Sequence, residues 1–252
     1  MNEGTVRIEE LAERFGISLM TAHRDLDELA LRGLLRKTRG VASAAPTHLI
    51  EASDVYRTSR QAEEKAAIGL AALDHIEPGQ AIFLDDSTTV LSMAAQLGTR
   101  VPLTVITNSL TLMNELRGVP ELTLLGLGGQ HHRWCNAFMG PTTVREIDRL
   151  RADTLILSMA AITDGVVYHQ SQETIQTKRA MFDAASRRIL LADHTKFERR
   201  ALHGFLTLSA FDLVIVDEAT PAAHVERMRD EGVEVVVAGV GNLNPDPDPL
   251  DA

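Results

Sequence analysis

The stretch GISLMTAHRDLDELALRGLLRKTRG, residues 16–40, has the pattern of one helix between glycines, followed by a basic turn. Ser18 stands where it can cap that helix, and Gly33 stands where the helix would end. Its apolar spacing, and that of the preceding segment VRIEELAERF, puts one buried face on each of two short helices: Ile8, Leu11, Ala12 and Phe15 on the first, Ala22, Leu26, Leu29 and Ala30 on the second. Two short helices joined by a glycine-containing turn predict a helix-turn-helix.

The second helix and the turn after it carry the side chains expected to contact DNA. The first half of the second helix of such a motif enters the major groove, so the sequence predicts DNA contacts from Ser18, Thr21, His23 and Arg24. The segment LLRKTRG predicts a basic wing over residues 34–41, with phosphate contacts from Arg36, Lys37 and Arg39. An ordinary helical hairpin with a solvated basic turn has the same apolar spacing, so periodicity alone leaves both interpretations open.

The charge of the chain is unevenly distributed. Its formal net charge is -10, but residues 1–45 contain seven Lys/Arg and seven Asp/Glu, so the whole acidic excess falls in residues 46–252. A locally basic patch on an acidic body remains compatible with DNA binding. Cys135 is the only cysteine, which excludes an internal disulfide and fits a reducing cytosol. No apolar run approaches the roughly 18 residues of a membrane helix, so we expect a cytoplasmic protein with no membrane partner.

The longer part of the chain has the pattern of an α/β domain. Seven short apolar runs, AIFLDD, LTVITN, LTLLGL, TLILSMA, RILLAD, LVIVDE and VEVVVAG, are mostly separated by helical stretches. They predict a mainly parallel sheet with helices on both faces, over residues 79–240. Residues 51–78 are expected to form a linker and a helix with Ala62, Ala66, Ile68, Leu70 and Leu73 largely inward. The tail, residues 241–252, is expected to be disordered. With the N-terminal unit at residues 1–50 (helix-turn-helix about 6–25), this gives two domains.

Polar residues follow several of these runs, where a parallel α/β sheet binds its ligand. In the turn DSTT, hydroxyls and backbone N–H groups could hold a phosphate. Capping of the next helix is the favoured explanation of that turn alone, and the coincidence of several such turns favours a binding site. Cationic lysines favour a phosphorylated ligand over a neutral one. The predicted binding residues are Asp85, Ser87, Thr88, Thr89, Asn108, Gly128, Gly129, Lys178, Asp193 and Lys196.

The first region, EELAERFGIS-MT-RDLDEL-GLLRKTRG, resembles the DNA-binding domain of the DeoR family of bacterial transcription regulators. The family pattern S-x-x-T-I-R-R-D-L-x-x-L is matched at Ser18, Thr21, Arg24, Asp25, Leu26 and Leu29. His23 stands where Arg is usual, Ala22 where Ile is usual, and Gly40-Val41 where the wing usually has a Gly pair. The family's winged helix begins with a further helix, whereas only MNEGT precedes Val6. We therefore expect a start upstream of Met1 or, less favoured, an impaired DNA-binding domain with partly uncovered inner faces.

The second region resembles the effector-sensing domain of the same family. The family motifs appear here as DDSTT (85–89), TNS (107–109), Gly128-Gly129, KRAM (178–181) and DHTKF (193–197), with Ser87 where glycine is usual. The resemblance implies a fold related to ribose-phosphate isomerases and CoA transferases. It also implies a phosphorylated sugar or sugar-like effector, bound by Asp85, Thr88, Thr89, Asn108, Lys178, Asp193 and Lys196.

The resemblance implies a repressor of a sugar or polyol catabolic operon, bound to operator DNA as a homodimer or homotetramer and released by its effector. It implies neither enzyme activity nor a cofactor. The alternative is a sugar-phosphate-binding protein or an isomerase-like enzyme, with Asp85 or Asp193 as base and a non-functional, truncated DNA-binding domain. The segment GLGGQH lacks dinucleotide-binding spacing. His131, His132 and Cys135 lack the spacing of a tetrahedral metal site, so we expect no metal.

Overall fold

The computed structural model describes residues 5–31, 35–44 and 52–239. Its N-terminal domain consists of β1 (Thr5–Arg7), α1 (Ile8–Phe15), α2 (Leu19–Leu31), β2 (Leu35–Thr38) and β3 (Val41–Ala44). The strands form an antiparallel sheet in the order β1-β3-β2. The predicted helices and wing are present, the hairpin extends to residue 44, and β1 was not predicted. Gly33 and the tail 241–252 lie outside the described residues.

The two helices of this domain enclose a small apolar core of Ile8, Ala12, Ala22, Leu26 and Ala42. Gly16 ends α1 in the left-handed conformation, at a φ of 62°. The Ser18 hydroxyl accepts a hydrogen bond from the Thr21 N–H at 3.1 Å, so Ser18 caps α2 as predicted. Phe15 is 68% exposed, and it lines an open apolar groove together with the partly buried Leu11 and Leu29.

Two helices lead into the second domain. The first, α3 (Asp54–Ser59), lies in the segment expected to be a linker, and the Ser53 hydroxyl caps it. The second, α4 (Ala62–Leu73), was predicted, and Ile68 and Leu73 are buried as expected. Ala62 is exposed instead, and Lys65 is buried. The predicted inward position was wrong for Ala62, at the first residue of α4. The burial of Lys65 was not predicted, and its ammonium is hydrogen-bonded to the Arg57 carbonyl and the Thr88 hydroxyl.

The second domain continues in chain order as an alternation of strands and helices. Its elements are β4 (Ala81–Leu84), α5 (Thr88–Leu91), β5 (Leu103–Thr107), α6 (Leu110–Leu116), β6 (Leu122–Gly126), β7 (Gln130–His132), β8 (Ala137–Met139), α7 (Pro141–Ile147), β9 (Ala152–Ser158), β10 (Ala161–Thr163), β11 (Val166–His169), α8 (Gln172–Asp183), β12 (Ala185–Ala192), β13 (His203–Thr207), β14 (Leu213–Asp217), α9 (Ala222–Asp230) and β15 (Val235–Ala238). Short 3-10 helices occur at Ala94–Arg100, His194–Phe197 and Leu208–Ala210.

The seven predicted apolar runs form one parallel sheet, in the order β15-β14-β12-β9-β4-β5-β6. Successive side chains of a strand alternate between its faces: Phe83 joins one buried cluster, and Ile82 and Leu84 join the other. Both faces are therefore covered, and the predicted α/β fold is confirmed. From β4 the chain proceeds outward to β5 and β6, and later to the opposite side of β4 at β9. The order reverses between β4 and β9, where such sheets place a ligand crevice.

Candidate functional site

A small, largely enclosed cleft lies where β4 and β9 end side by side. The residues that line it come from the turn after β4 and the start of α5, from the end of β9 and the residues after it, from α3, β11 and α8, and from the turn after β12. They are Arg57, Asp86, Ser87, Thr88, Thr89, Ser158, Met159, Ala160, His169, Lys178 and Lys196. Five of them were predicted from the sequence: Ser87, Thr88, Thr89, Lys178 and Lys196. The parallel topology brings them together because the carboxyl ends of all seven strands lie at one edge of the sheet.

A buried ion pair joins the two sides of this cleft. Asp85 has no exposed surface and accepts hydrogen bonds from the backbone N–H groups of Ser87 and Ser158, each at 2.9 Å. Lys178 Nζ donates to Asp85 Oδ2 at 2.5 Å and to the Ser158 carbonyl at 2.8 Å, and lies 3.7 Å from Asp86 Oδ1. Asp85 therefore fixes the end of β4 to the end of β9, and two carboxylates balance the charge of Lys178.

Burial and neighbouring charges set the protonation of this cluster. Burial raises the pKa of Asp86, and the repulsion from Asp85 adds to this, while the Lys178 ammonium opposes it. Burial acts to lower the pKa of Lys178, but the carboxylates of Asp85 and Asp86 outweigh burial and raise it. Lys178 is thus held in its charged form, and the Asp86 carboxyl binds a proton more readily than an ordinary aspartate.

The turn after β12 brings a second cation to the cleft. Asp193 Oδ1 accepts hydrogen bonds from the N–H and the hydroxyl of Thr195, and Lys196 Nζ lies 3.8 Å from Asp193 Oδ2. Burial would raise the pKa of Asp193, but the positive charge of Lys196 lowers it overall. Asp217, fully buried at the end of β14, accepts from the N–H and Nδ1 of His194 at 2.6 and 2.9 Å, which fixes the same turn.

Lys65 is a member of this cation cluster that the sequence predictions missed. It is 4% exposed, and its ammonium donates to the Thr88 hydroxyl at 3.2 Å and to the Arg57 carbonyl. In the described part of the chain, no carboxylate lies within 4.0 Å of it. Burial, followed by the charge of Lys196, lowers the pKa of Lys65 to about 7. One feature of the sequence could have indicated this residue: Lys65 lies three positions before Ile68, on the apolar face of α4.

The sequence analysis also missed Arg57, Ser158 and His169, because none of these residues belongs to a recognised motif. The Ser158 hydroxyl has no hydrogen-bond partner among the described residues and lines the cleft. His169 is 4% exposed, and its Nδ1 accepts from the Ser171 N–H at 3.0 Å, which leaves the ring proton on Nε2. Burial and the nearby charge of Lys178 lower its pKa well below the ordinary value. His169 is therefore a neutral hydrogen-bond donor.

Five predicted binding residues do not line the cleft. Asp85 and Asp193 lie beside its lysines, Lys178 and Lys196, whereas Asn108, Gly128 and Gly129 form other contacts. The Asn108 side chain donates to the Phe138 carbonyl at 2.9 Å, and the Thr143 hydroxyl donates to the Gly128 carbonyl at 2.8 Å. Gly129 has a φ of 147°, and a Cβ there would lie 2.1 Å from the Thr143 hydroxyl oxygen. These contacts shape the β7–β8 hairpin and its approach to α7.

The predicted DNA-binding residues differ in their exposure and in the contacts that they form. Arg24 and Arg39 are exposed, Arg24 beside Asp25 at 3.5 Å. Ser18 and Thr21 are hydrogen-bonded to each other at 2.8 Å at the start of α2, and His23 is partly buried. Lys37 is turned toward α2: its ammonium donates to Asp27 Oδ1 at 2.6 Å and to the His23 carbonyl at 3.1 Å. The side chain of Arg36 lies outside the described residues.

Metal and thiol chemistry have no site in the part of the chain that the structure describes. No group of three or more His, Cys, Asp or Glu is placed there to hold a metal ion. Burial raises the pKa of the Cys135 thiol, so it stays protonated. Across residues 5–31, 35–44 and 52–239, no helix is both long and apolar enough to cross a membrane.

Several bacterial transcriptional repressors are similar in sequence to this protein over most of its length. Transcriptional repressor AccR of Agrobacterium fabrum is 33% identical, over 87% of this chain and 86% of the relative. The glycerol-3-phosphate regulon repressor of Escherichia coli is 30% identical, over 92% of both chains. The lactose phosphotransferase system repressor of Lactococcus lactis is 30% identical, over 89% of both chains.

Among solved structures, ribose 5-phosphate isomerase of Plasmodium falciparum matches 54% of this chain and 52% of its own, at 15% identity and a TM-score of 0.38. Translation initiation factor eIF-2B of Pyrococcus horikoshii matches 57% of this chain and 50% of its own, at 20% identity and a TM-score of 0.41. A model of the DeoR-like helix-turn-helix domain matches residues 1–47, and a model of the DeoR C terminal sensor domain matches residues 60–218. With a helix-turn-helix at one end and a sensor domain over most of the rest, the chain belongs to the DeoR family.

Proposed function

We propose that this protein is a DNA-binding transcriptional repressor of a sugar or polyol catabolic operon, released from its operator when a phosphorylated sugar binds the cleft. The relatives named above are repressors, two of them of regulons or systems named for glycerol 3-phosphate and lactose. The exposed Arg24 and Arg39 suit contacts with DNA phosphates and bases. The expected location is the cytoplasm, where the operator is.

The observation that carries the effector class is the cluster of cationic side chains at the cleft. Four cationic side chains, Arg57, Lys65, Lys178 and Lys196, meet three carboxyl groups, Asp85, Asp86 and Asp193, and the pKa of Asp86 is raised by burial. A phosphate dianion would bind these cations through charge-assisted hydrogen bonds. The hydroxyls of Ser87, Thr88 and Ser158 and the Nε2–H of His169 suit phosphate and sugar oxygens.

A thermal-shift assay tests the effector class. We expect the full chain to be stabilised by some of glycerol 3-phosphate, glucose 6-phosphate and fructose 6-phosphate, but not by glycerol, glucose or fructose. At a concentration 100 times its Kd, the effector adds about 2.7 kcal/mol to the free energy of unfolding. Stabilisation only by the unphosphorylated sugars contradicts the proposed effector.

Two variants locate the binding site. Lys196→Gln removes a cation and Ser158→Ala removes a hydroxyl from the cleft, so both should lose most of the effector-induced shift. Arg100→Gln is the matched control, because Arg100 forms an exposed pair with Asp74 at 2.8 Å, away from the cleft. An equal loss in all three variants would place the effector elsewhere. Turnover of pentose or hexose phosphates by the full chain would indicate an enzyme instead.

A further inference from the structure

Helix α3 occupies the place where the chain enters the sensor domain. Residues 45–51 connect β3 of the winged helix to the start of the α3 region, and Ala52 and Ser53 are already buried in the sensor domain. Three residues into α3, Arg57 lines the effector cleft. Helix α3, the first helix described after the winged helix, therefore contributes a cation to the proposed effector site.

The contacts that hold α3 converge on Arg57. Its Nε donates to the Ala52 carbonyl at 3.0 Å, its own carbonyl accepts from the Lys65 ammonium, and its guanidinium lies 5.6 Å from the centre of the Trp134 ring. The Trp134 carbonyl accepts from the Asp54 N–H at 2.8 Å. Arg57 is thus linked to the entering chain, to α4 and to the β7–β8 hairpin at once.

Few apolar contacts hold α3 in addition to these polar and aromatic contacts. No residue of α3 is buried, and Val55 is 69% exposed. An element held by a few polar and aromatic contacts has low local stability, and regulatory elements are drawn from that class. The charge of Arg57 also reaches the cleft groups: after burial and other charges, it contributes to lowering the pKa of both His169 and Lys65. A bound phosphate would replace this repulsion between cations with attraction.

We propose that α3 transmits effector occupancy to the DNA-binding domain, with Arg57 as the residue that senses the anion and Trp134 as the surface against which Arg57 is positioned. This inference rests on the proposed function, because it needs an anionic effector in the cleft. An effector can shift an equilibrium only by contacting its two states differently. Arg57 meets this condition, since a change in its position changes both the cleft and the entry of the linker.

The sole tryptophan of the chain gives a direct readout. Trp134 fluorescence of the full chain is measured during titration with whichever of glycerol 3-phosphate, glucose 6-phosphate and fructose 6-phosphate stabilises it most. The emission should change with the same midpoint as binding measured by calorimetry. Binding without a change in Trp134 emission overturns the inference and leaves the proposed function intact. Stabilisation by none of the three overturns both.

A variant pair tests the coupling itself. Operator DNA is selected from a random library with the full chain, and its Kd is measured with and without the same sugar phosphate. For the wild type we expect the effector to raise this Kd by about 5- to 150-fold, the usual range of allosteric coupling. Trp134→Leu should still bind the sugar phosphate, yet show a Kd ratio near one.

Phe138→Leu is the control, because Phe138 belongs to the same hairpin but its ring packs against His131, with ring centres 5.4 Å apart. It should keep the wild-type ratio. The inference is overturned if Trp134→Leu keeps the wild-type ratio, if it no longer binds the sugar phosphate, or if Phe138→Leu loses coupling equally.

Discussion

At the residue scale, Lys65 shows how burial changes the chemistry of one side chain. A lysine on a helix surface keeps its proton at neutral pH, but Lys65 is 4% exposed, and among the described residues its ammonium is hydrogen-bonded only to a hydroxyl and a carbonyl. Other cations face it, Arg57 from α3 and Lys196 and Arg199 from the segment after β12, and the Asp193 carboxylate opposes them. Burial is the largest cause of its lowered pKa, and a bound anion would raise that pKa again because it favours the charged ammonium.

The pH dependence of stability follows from this shift. The unfolded chain holds the Lys65 proton up to a pKa of 10.5, whereas the folded chain releases it near 7. Between these values the unfolded state binds more protons, so Lys65 makes the free energy of unfolding rise with pH. We expect Lys65→Met to remove this rise, which is at most about 1.4 kcal/mol per pH unit, in urea unfolding between pH 7 and 9.

His75→Gln provides the control for this experiment. Burial, and then the charge of Arg187, lowers the pKa of His75 from 6.5, so its titration lies below the pH window. The variant should keep the wild-type slope. A wild-type slope in Lys65→Met would contradict the assignment of the rise to Lys65.

At the element scale, Lys37 changes the interpretation of the wing. It was predicted to meet phosphate, but its ammonium joins the β2–β3 hairpin to α2 through Asp27 and the His23 carbonyl. Its side chain is 19% exposed, compared with 61% for Asp27. The geometry favours a positioning role for Lys37, while Arg39 at the exposed turn remains a predicted phosphate contact.

Salt titration of operator binding separates the two roles. Replacing Arg36, Lys37 and Arg39 together with Ala should weaken binding to every sequence alike, since phosphates carry no sequence. Arg39→Ala alone should reduce the salt slope by about one. Lys37→Ala should weaken binding with little change in slope, and Asp27→Asn should reproduce that effect. A slope reduced by Lys37→Ala but not by Asp27→Asn would restore Lys37 as a phosphate contact.

At the scale of the whole molecule, the net charge of -10 resides in residues 46–252, so the body of the protein is repelled by DNA and the small winged helix must supply the attraction. One such unit reads too few bases for useful specificity, and paired units read two half-sites. We expect the full chain to bind operator DNA as a homodimer or homotetramer. Light scattering on the separated complex should give at least two chains per duplex; one chain per duplex would contradict this.

The sequence by itself determined the family, the seven strands and much of the cleft. Continuous apolar runs such as that of β4 can be buried only in a sheet covered on both faces, and the polar residues after them must then meet at one edge. Ser87, Thr88, Thr89, Lys178 and Lys196 were found this way and line the cleft.

Only the tertiary structure decided which groups each of these side chains contacts. Lys178 was expected to hold phosphate and does line the cleft, but only the contact between β4 and β9 shows that its ammonium also pairs with the buried Asp85. Arg57 and Lys65 belong to helices whose sequence shows no motif. Their long side chains reach the site only because α3 and α4 pack beside elements that are distant in the chain. Gly129 matches a binding motif, yet serves close packing against Thr143. Periodicity identifies buried faces, but contacts between faces depend on how the elements pack in three dimensions.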